Sequence, residues 1–188
     1  MTSQPSTRGR VLAAYQDLLI SDGPSAATLD AVAAAAGVSK GGLLYHFKSK
    51  EALVEGLLAQ LREYAEADFA AMAQAPQGCA AYYVRTSVFG NTPFDRAIVA
   101  AHRLIQGDDD SVRQVFAGLH ARWYELILTD LKDAATAHAV MLLGDGLYYN
   151  AALFGFPTGV HFGKETQDGV TVDALLEIVE KLRPQARS

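Results

Sequence analysis

Apolar positions recur at three- and four-residue spacing along nearly the whole chain rather than alternating, a rhythm that predicts helices and no convincing strand. Val11, Leu12, Tyr15, Leu18 and Leu19 make the inner face of a first helix from about Arg8 to Ile20, which Asp22-Gly23-Pro24 ends. Thr28 is a good N-cap for a short second helix, with Asp30 near the positive end of its dipole. Gly37 interrupts the run Ala33 to Ala36, and Ser39 caps a third short helix through about His46. Ser49-Lys50-Glu51 opens a long fourth helix whose stripe is Leu53, Val54, Leu57, Leu58, Leu61, Ala65, Phe69 and Met72, before Pro76. Further helices fit about Gly78 to Phe89, then Phe94 to Gln106, where Thr92-Pro93 supplies an N-cap and a first-turn proline. Asp110 starts another, through about Leu131; Asp133 or Thr136 begins the next, lasting until Gly155. After a glycine- and aromatic-rich loop from Gly155 to Gly169, Thr171 caps a last helix that Pro184 stops. The expected fold is all-α, with about nine helices.

Composition narrows the class without naming a function. The chain has 188 residues, enough for one medium domain or for a small module on a larger one, and its 50% hydrophobic and 20% charged content is that of a soluble globular protein. No apolar run approaches the ~20 residues needed to span a bilayer. The stretch from Met1 to Arg10 is polar and lacks the apolar core of a signal peptide. The single cysteine, Cys79, has no internal partner for a disulfide, so a cytoplasmic location is expected. A net charge of −5 argues superficially against nucleic acid, but its distribution matters more. Residues 1–50 carry Arg8, Arg10, Lys40, Lys48 and Lys50 against Asp17, Asp22 and Asp30, whereas the remainder is strongly acidic. A mildly basic head on an acidic body suits a protein that touches phosphate at one end only.

The segment from Thr28 to Lys50, TLDAVAAAAGVSKGGLLYHFKSK, carries the most chemistry. Two short helices joined by a glycine-bearing turn describe a helix-turn-helix, whose second helix enters the major groove of DNA. Ala33 and Ala36 are small where the helices must cross, Gly37 supplies the left-handed backbone of the turn, and Val38 and Leu43 face inward. Ser39, Lys40, Gly41 and Gly42 leave two positions without bulk in the first turn of the third helix, at roughly 1 kcal/mol per glycine relative to alanine. Such a turn suits close approach of a DNA strand, with Lys40, Tyr45 and His46 as donors to phosphate or base edges. Lys50 and the free amides opening the fourth helix make an anion site for a backbone phosphate. By spacing alone, a packed three-helix subdomain with a glycine-rich linker accounts for the same segment.

The string GVSKGGLLYHFKSKEAL, together with Thr28, Val32, Ala33 and Ala36 upstream, closely resembles the signature ending the DNA-binding domain of TetR-family regulators. About 50 residues carry the likeness; the remaining helices match only in number, length and order. The resemblance implies a helix-turn-helix domain over residues 1–50 and an effector-binding and dimerisation domain over 51–188. It implies that Thr28 caps the second helix and contacts phosphate, and that Ser39, Lys40, Gly41 and Gly42 form the base- and backbone-reading turn. Tyr45, His46 and Lys50 match positions that hold the phosphate backbone, with Leu44 in the same DNA-facing set, and Phe47 is a core anchor. Many relatives have a threonine or another side chain where Gly42 stands and a tyrosine where Leu44 stands, so the operator sequence does not carry over.

In the body, Phe116, His120, Trp123 and Ile127 share one helical face, and Phe89, Phe94, His102, Tyr148 and Tyr149 are candidates to complete an apolar cavity with a few polar groups. All of them also read as ordinary core residues. Five scattered histidines and one cysteine support no metal site, and no cofactor is expected. Two apolar stripes, Val140, Leu143, Leu147, Ala151 and Phe154, then Leu175, Ile178, Val179 and Leu182, are expected to form a homodimer interface, with Gly144 and Gly146 permitting close helix approach. Packing inside one chain would give the same stripes. The implied function is a ligand-responsive repressor that binds double-stranded, palindromic operator DNA as a dimer and is released by a partly apolar or aromatic small-molecule effector. An enzyme or ligand carrier in a helical bundle would need a nucleophile motif, metal spacing or phosphate loop, and none is found. A structural helical adaptor would show no salt-dependent DNA binding.

Overall fold

A computed structural model of the chain describes residues 6–105, 110–154 and 171–183. These form nine α-helices: α1 (Thr7–Ser21), α2 (Leu29–Ala35), α3 (Lys40–His46), α4 (Lys50–Ala73), α5 (Cys79–Thr86), α6 (Pro93–His102), α7 (Asp110–Leu131), α8 (Ala134–Phe154) and α9 (Val172–Leu182). The expected all-α fold is what the chain adopts.

Most helix starts follow from local capping. The side chains of Thr28, Ser39 and Thr171 accept from the backbone amides of Ala31, Gly42 and Ala174, satisfying donors that a helix start leaves orphaned. Thr92 and Asp95 form a reciprocal capping box with Pro93 in the first turn of α6, and Asp133 accepts from the amide of Thr136 at the start of α8. Two helices end earlier than the apolar pattern suggests. At the end of α5, Thr86 and Ser87 turn their hydroxyls back onto the carbonyls of Tyr82 and Tyr83, so the chain leaves the helix at Ser87 instead of Phe89. Beyond His102 the amides of Leu104 and Ile105 bond three residues back, to Ala101 and His102, which tightens the chain out of α6. Gln106 and the loop expected from Gly155 to Gly169 lie outside the described residues.

The chain divides into two compact units, Met1–Tyr64 with Asn91–Phe116, and Ala65–Gly90 with Ala117–Ser188. In the first, α1 packs against α2, α3 and α6. Val11, Leu12, Tyr15, Leu19, Val32, Leu43, Phe47 and Leu57 are among its buried side chains. Asp17 of α1 and Arg96 of α6 form an ion pair across that packing. Gly56 is where α4 meets the end of α3, since a Cβ there would lie 2.7 Å from the Phe47 ring and 3.1 Å from Leu12. In the second unit, α5 packs against α8 and α9. Gly144 lets α8 approach α5, because a Cβ at that position would collide with the Tyr83 ring and come within 2.7 Å of Ser87 Oγ. Gly146, expected to share this duty, has open space instead. Asp130 ties three elements of this unit together: it accepts from the amide of Ala80 at 2.9 Å and from Arg183 Nη1 at 3.0 Å.

Candidate nucleic-acid interface and aromatic cluster

The helix-turn-helix is built by short-range chemistry. Gly37 adopts φ +64°, which a side chain tolerates poorly, and this left-handed step lets the amides of Gly37 and Val38 bond back to Ala34 and Ala33 at the end of α2. Ser39 then caps α3, Leu43 turns inward to full burial, and Phe47 anchors the far end. The opposite face is open. Thr28, Ser39, Lys40, Gly41, Tyr45 and His46 are exposed, while Gly42, Leu44 and Lys50 are half-buried. Tyr45 stands 83% exposed, which is unusual for a tyrosine in a packed domain. A Cβ at Gly41 would meet nothing within 4 Å, so the fold itself does not require glycine there.

Several polar groups of this face are already engaged. Lys40 pairs with Asp30 at 2.9 Å, and Lys50 donates to the carbonyl of Pro24 at 2.7 Å, a bond that holds the loop between α1 and α2. Arg8, which the sequence reading did not place at the site, lies with its guanidinium 5.2 Å from the centroid of the Phe47 ring. Its position before the apolar stripe of α1 was the available signal. All the expected DNA-facing residues therefore sit on one subdomain, with Leu44 the one apolar member.

The expected ligand residues fall into separate groups. In the first unit, His102 meets Phe116 edge-on with centroids 4.3 Å apart, and Phe94 tilts against Tyr64 at 6.1 Å. In the second, His120 stacks parallel to Tyr149 at 6.4 Å and edges onto Trp123 at 5.8 Å, while Phe89 meets Tyr148 at 6.3 Å. Ile127 is fully buried and acts as core. Four polar residues missed in the sequence complete this second cluster. Asp68 accepts from Trp123 Nε1 at 2.8 Å and from the Tyr82 hydroxyl at 3.0 Å. Asp145 accepts from the Tyr83 hydroxyl at 2.7 Å and lies 3.7 Å from His120 Nδ1, and His120 Nε2 is 3.2 Å from the Tyr149 hydroxyl.

Burial dominates the titration of these groups. It pushes the Asp68 carboxyl above the usual carboxylate range, and the hydrogen bonds from Trp123 and Tyr82 only partly oppose that. Burial and the Asp68 charge push the Tyr82 phenol up to about 12. Tyr83 and Tyr149 rise further for the same reason, with Asp145 adding to both, so these phenols remain protonated donors at neutral pH. The cluster thus offers flat ring faces beside two carboxylates. An open cavity of roughly 700 Å³ lies elsewhere in this unit, lined by Gln77, Ala81, Arg85, Leu176 and Glu177 among others; none of the expected ligand residues borders it. Among the described residues no group of three or more His, Cys, Asp or Glu side chains is arranged to hold a metal, and no helix is long and apolar enough to cross a membrane.

The expected dimer stripes are divided by the structure. Val140, Leu147 and Val179 are buried within the single chain, so their apolar surface is already used. Leu143, Ala151 and Leu175 are half-buried, and the side chain of Phe154 lies outside the described residues. Ile178 and Leu182 stay 48% and 45% exposed on α9. Leu142, not part of the expected stripe, is 72% exposed, because it sits roughly 200° around α8 from Val140 and so points away from α5.

Comparison with known proteins places the sequence likeness in the N-terminal part of the chain. The N-terminal profile of the bacterial regulatory proteins of the tetR family matches residues 11–57. The HTH-type transcriptional regulator SrpR of Pseudomonas putida is 36% identical over 63 residues, 34% of this chain and 30% of SrpR. TtgW, an uncharacterized HTH-type transcriptional regulator from a strain of the same species, is 35% identical over 63 residues, 34% of this chain and 47% of TtgW. The match therefore spans less than half the length of either relative. Beyond that segment the likeness is one of fold. The multidrug binding protein EbrR, solved with malachite green, superposes with a TM-score of 0.68 at 20% identity, covering 96% of this chain and 100% of EbrR. A TetR-family member from Streptomyces coelicolor gives 0.64 at 19% identity, covering 96% of this chain and 100% of its own.

Proposed function

We propose, from the premise that this chain is a TetR-family transcriptional regulator, that it is a repressor which binds a palindromic operator as a homodimer and leaves it when a small molecule binds the second unit. The observation that carries the reading is the open face of α3: a serine-capped helix with Gly41 free of any packing duty and Lys40 and Tyr45 exposed beside it. A glycine that the fold does not need, at roughly 1 kcal/mol relative to alanine, is accounted for by a DNA strand approaching the helix start. Two such helices in successive major grooves stand about 34–36 Å apart, which requires a dimer. Among the described residues, Leu142, Ile178 and Leu182 are exposed large apolar side chains open to a second copy, and they replace the buried Val140, Leu147 and Val179 in the proposed interface.

For the effector, the rings of His120, Trp123, Tyr148 and Tyr149 beside Asp145 support a flat, partly aromatic ligand. EbrR, which shares the fold, has been solved with malachite green and with ethidium. An effector that binds better to a conformation with altered head spacing lowers operator affinity by linkage. A gel shift with DNA from upstream of the gene tests the reading: a salt-sensitive, dimer-stoichiometric shift that a co-purified ligand reverses is expected. A monomer that ignores this DNA at every salt concentration would refute it.

A further inference from the structure

Lys40 does not face outward alone. Its ammonium lies 2.9 Å from Oδ1 and 3.0 Å from Oδ2 of Asp30, so it sits across both carboxylate oxygens. Asp30 occupies the first turn of α2 and Lys40 the first turn of α3, and the pair spans the turn made by Gly37. Both side chains are more than half exposed, at 57% for Lys40 and 71% for Asp30, so this is a solvent-screened contact that a stronger anion can displace.

We propose that Asp30 is a specificity-determining residue for DNA binding: an internal anion that holds Lys40 in the free protein and must be displaced before Lys40 can engage DNA. The proposal rests on the reading that α3 faces the duplex. Binding to arbitrary sequence draws almost entirely on phosphate neutralisation. There, exchanging the Asp30 carboxylate for a phosphate swaps one exposed ion pair for another and gains little. At a matched site Lys40 can instead bond a guanine edge through O6 and N7, a contact stronger than the one given up. Asp30 thus lets Lys40 contribute where the base edge is right and cancels it where only phosphate is on offer. An exposed pair of this kind restrains its partners by a factor of about five at most, which sets the size of the effect. The same pairing hides one cation from the counterion balance of non-specific binding, so the salt dependence is shallower than the exposed basic residues alone would give.

Fluorescence anisotropy of the full chain with a random-sequence duplex, over a range of salt, tests this with Asp30→Asn, Asp30→Glu, Lys40→Met and the double variant Asp30→Asn/Lys40→Met. Asp30→Asn keeps the side-chain shape and leaves the Thr28 cap in place, giving up only the Lys40 pair and a helix-dipole contact, so the fold holds, as an unchanged circular-dichroism spectrum verifies. Asp30→Asn should bind the random duplex up to about fivefold tighter, with a log–log salt slope steeper by about one, while Asp30→Glu behaves as wild type. On the Lys40→Met background the Asp30→Asn gain should vanish. With DNA from upstream of the gene the gain should be smaller than with the random duplex. An equal gain in the presence and absence of Lys40 would overturn the proposal, since Asp30 would then act only by repelling phosphate. A Lys40→Met loss of binding to DNA from upstream of the gene, accompanied by no Asp30→Asn effect on the random duplex, sinks the proposal but spares the docking face. Binding to that upstream DNA unaltered by Lys40→Met removes both.

Discussion

The start of α3 and the cluster around Trp123 hold their polar side chains in opposite ways. Around the helix-turn-helix, Thr28 and Ser39 bond amides three residues away, and Lys40 finds its partner ten residues away. In the second unit Trp123 reaches Asp68 across 55 positions of sequence, and Tyr83 reaches Asp145 across 62. Local bonds fix the backbone and leave the outer face of α3 open for another molecule. Long-range bonds consume the side chains they join, and they make the second unit a network in which ring, hydroxyl and carboxylate positions depend on one another. The start of α3 presents its groups outward, whereas the groups of the Trp123 cluster are held by one another.

The comparison is broken most severely by removing the indole at the centre of the network. Trp123→Ala deletes a buried ring that contacts Phe69, Tyr83 and His120, and it leaves Asp68 without its strongest donor. It should lower the unfolding free energy in urea by about 4 kcal/mol. Asp130→Asn follows. Burial alone would raise the Asp130 carboxyl, but Arg183 and the amides opening α5 outweigh it and hold it below the usual carboxylate range. A lowered folded-state value stabilises the protein above the unfolded value near 3.9 and loses that effect as pH falls through the folded value. The variant should therefore be less stable by about 2 kcal/mol at neutral pH, with the gap to wild type closing in acid melts.

Gly56→Ala probes the first unit and should have a smaller effect. Alanine gains about 1 kcal/mol of helix propensity, but its Cβ presses on the buried Phe47 ring and on Leu12. Overpacking of this kind typically costs about 1–3 kcal/mol, so a net loss near 1 kcal/mol is expected from thermal melts. Gly41→Ala should go the other way in the same assay, since nothing stands within reach of its Cβ.

The same contrast explains what could be read from sequence. The starts of α2, α3, α6 and α9 were legible because their caps lie inside the segment they begin. The turn was legible because φ +64° needs glycine at position 37. Asp68 and Asp145 were not legible as members of the ring cluster, because each is an isolated acid in an apolar helical run and its partners arrive from distant helices. Burial of Val140, Leu147 and Val179 within the chain could not be told from burial by a second copy, since periodicity marks a buried face without saying what covers it. In sequence Asp30 is marked only by its place near the helix dipole, because its hold on Lys40 exists only in the folded turn.

The central claim is that the exposed start of α3 meets DNA. The most direct measurement compares DNA affinity and stability for wild type, Lys40→Ala and Tyr45→Ala in the same buffer. Both sites are open to solvent, so melting should move by no more than about 0.5 kcal/mol while binding to DNA from upstream of the gene falls about tenfold or more. Undiminished affinity in both variants would contradict the claim and place the DNA contact on another face of the protein.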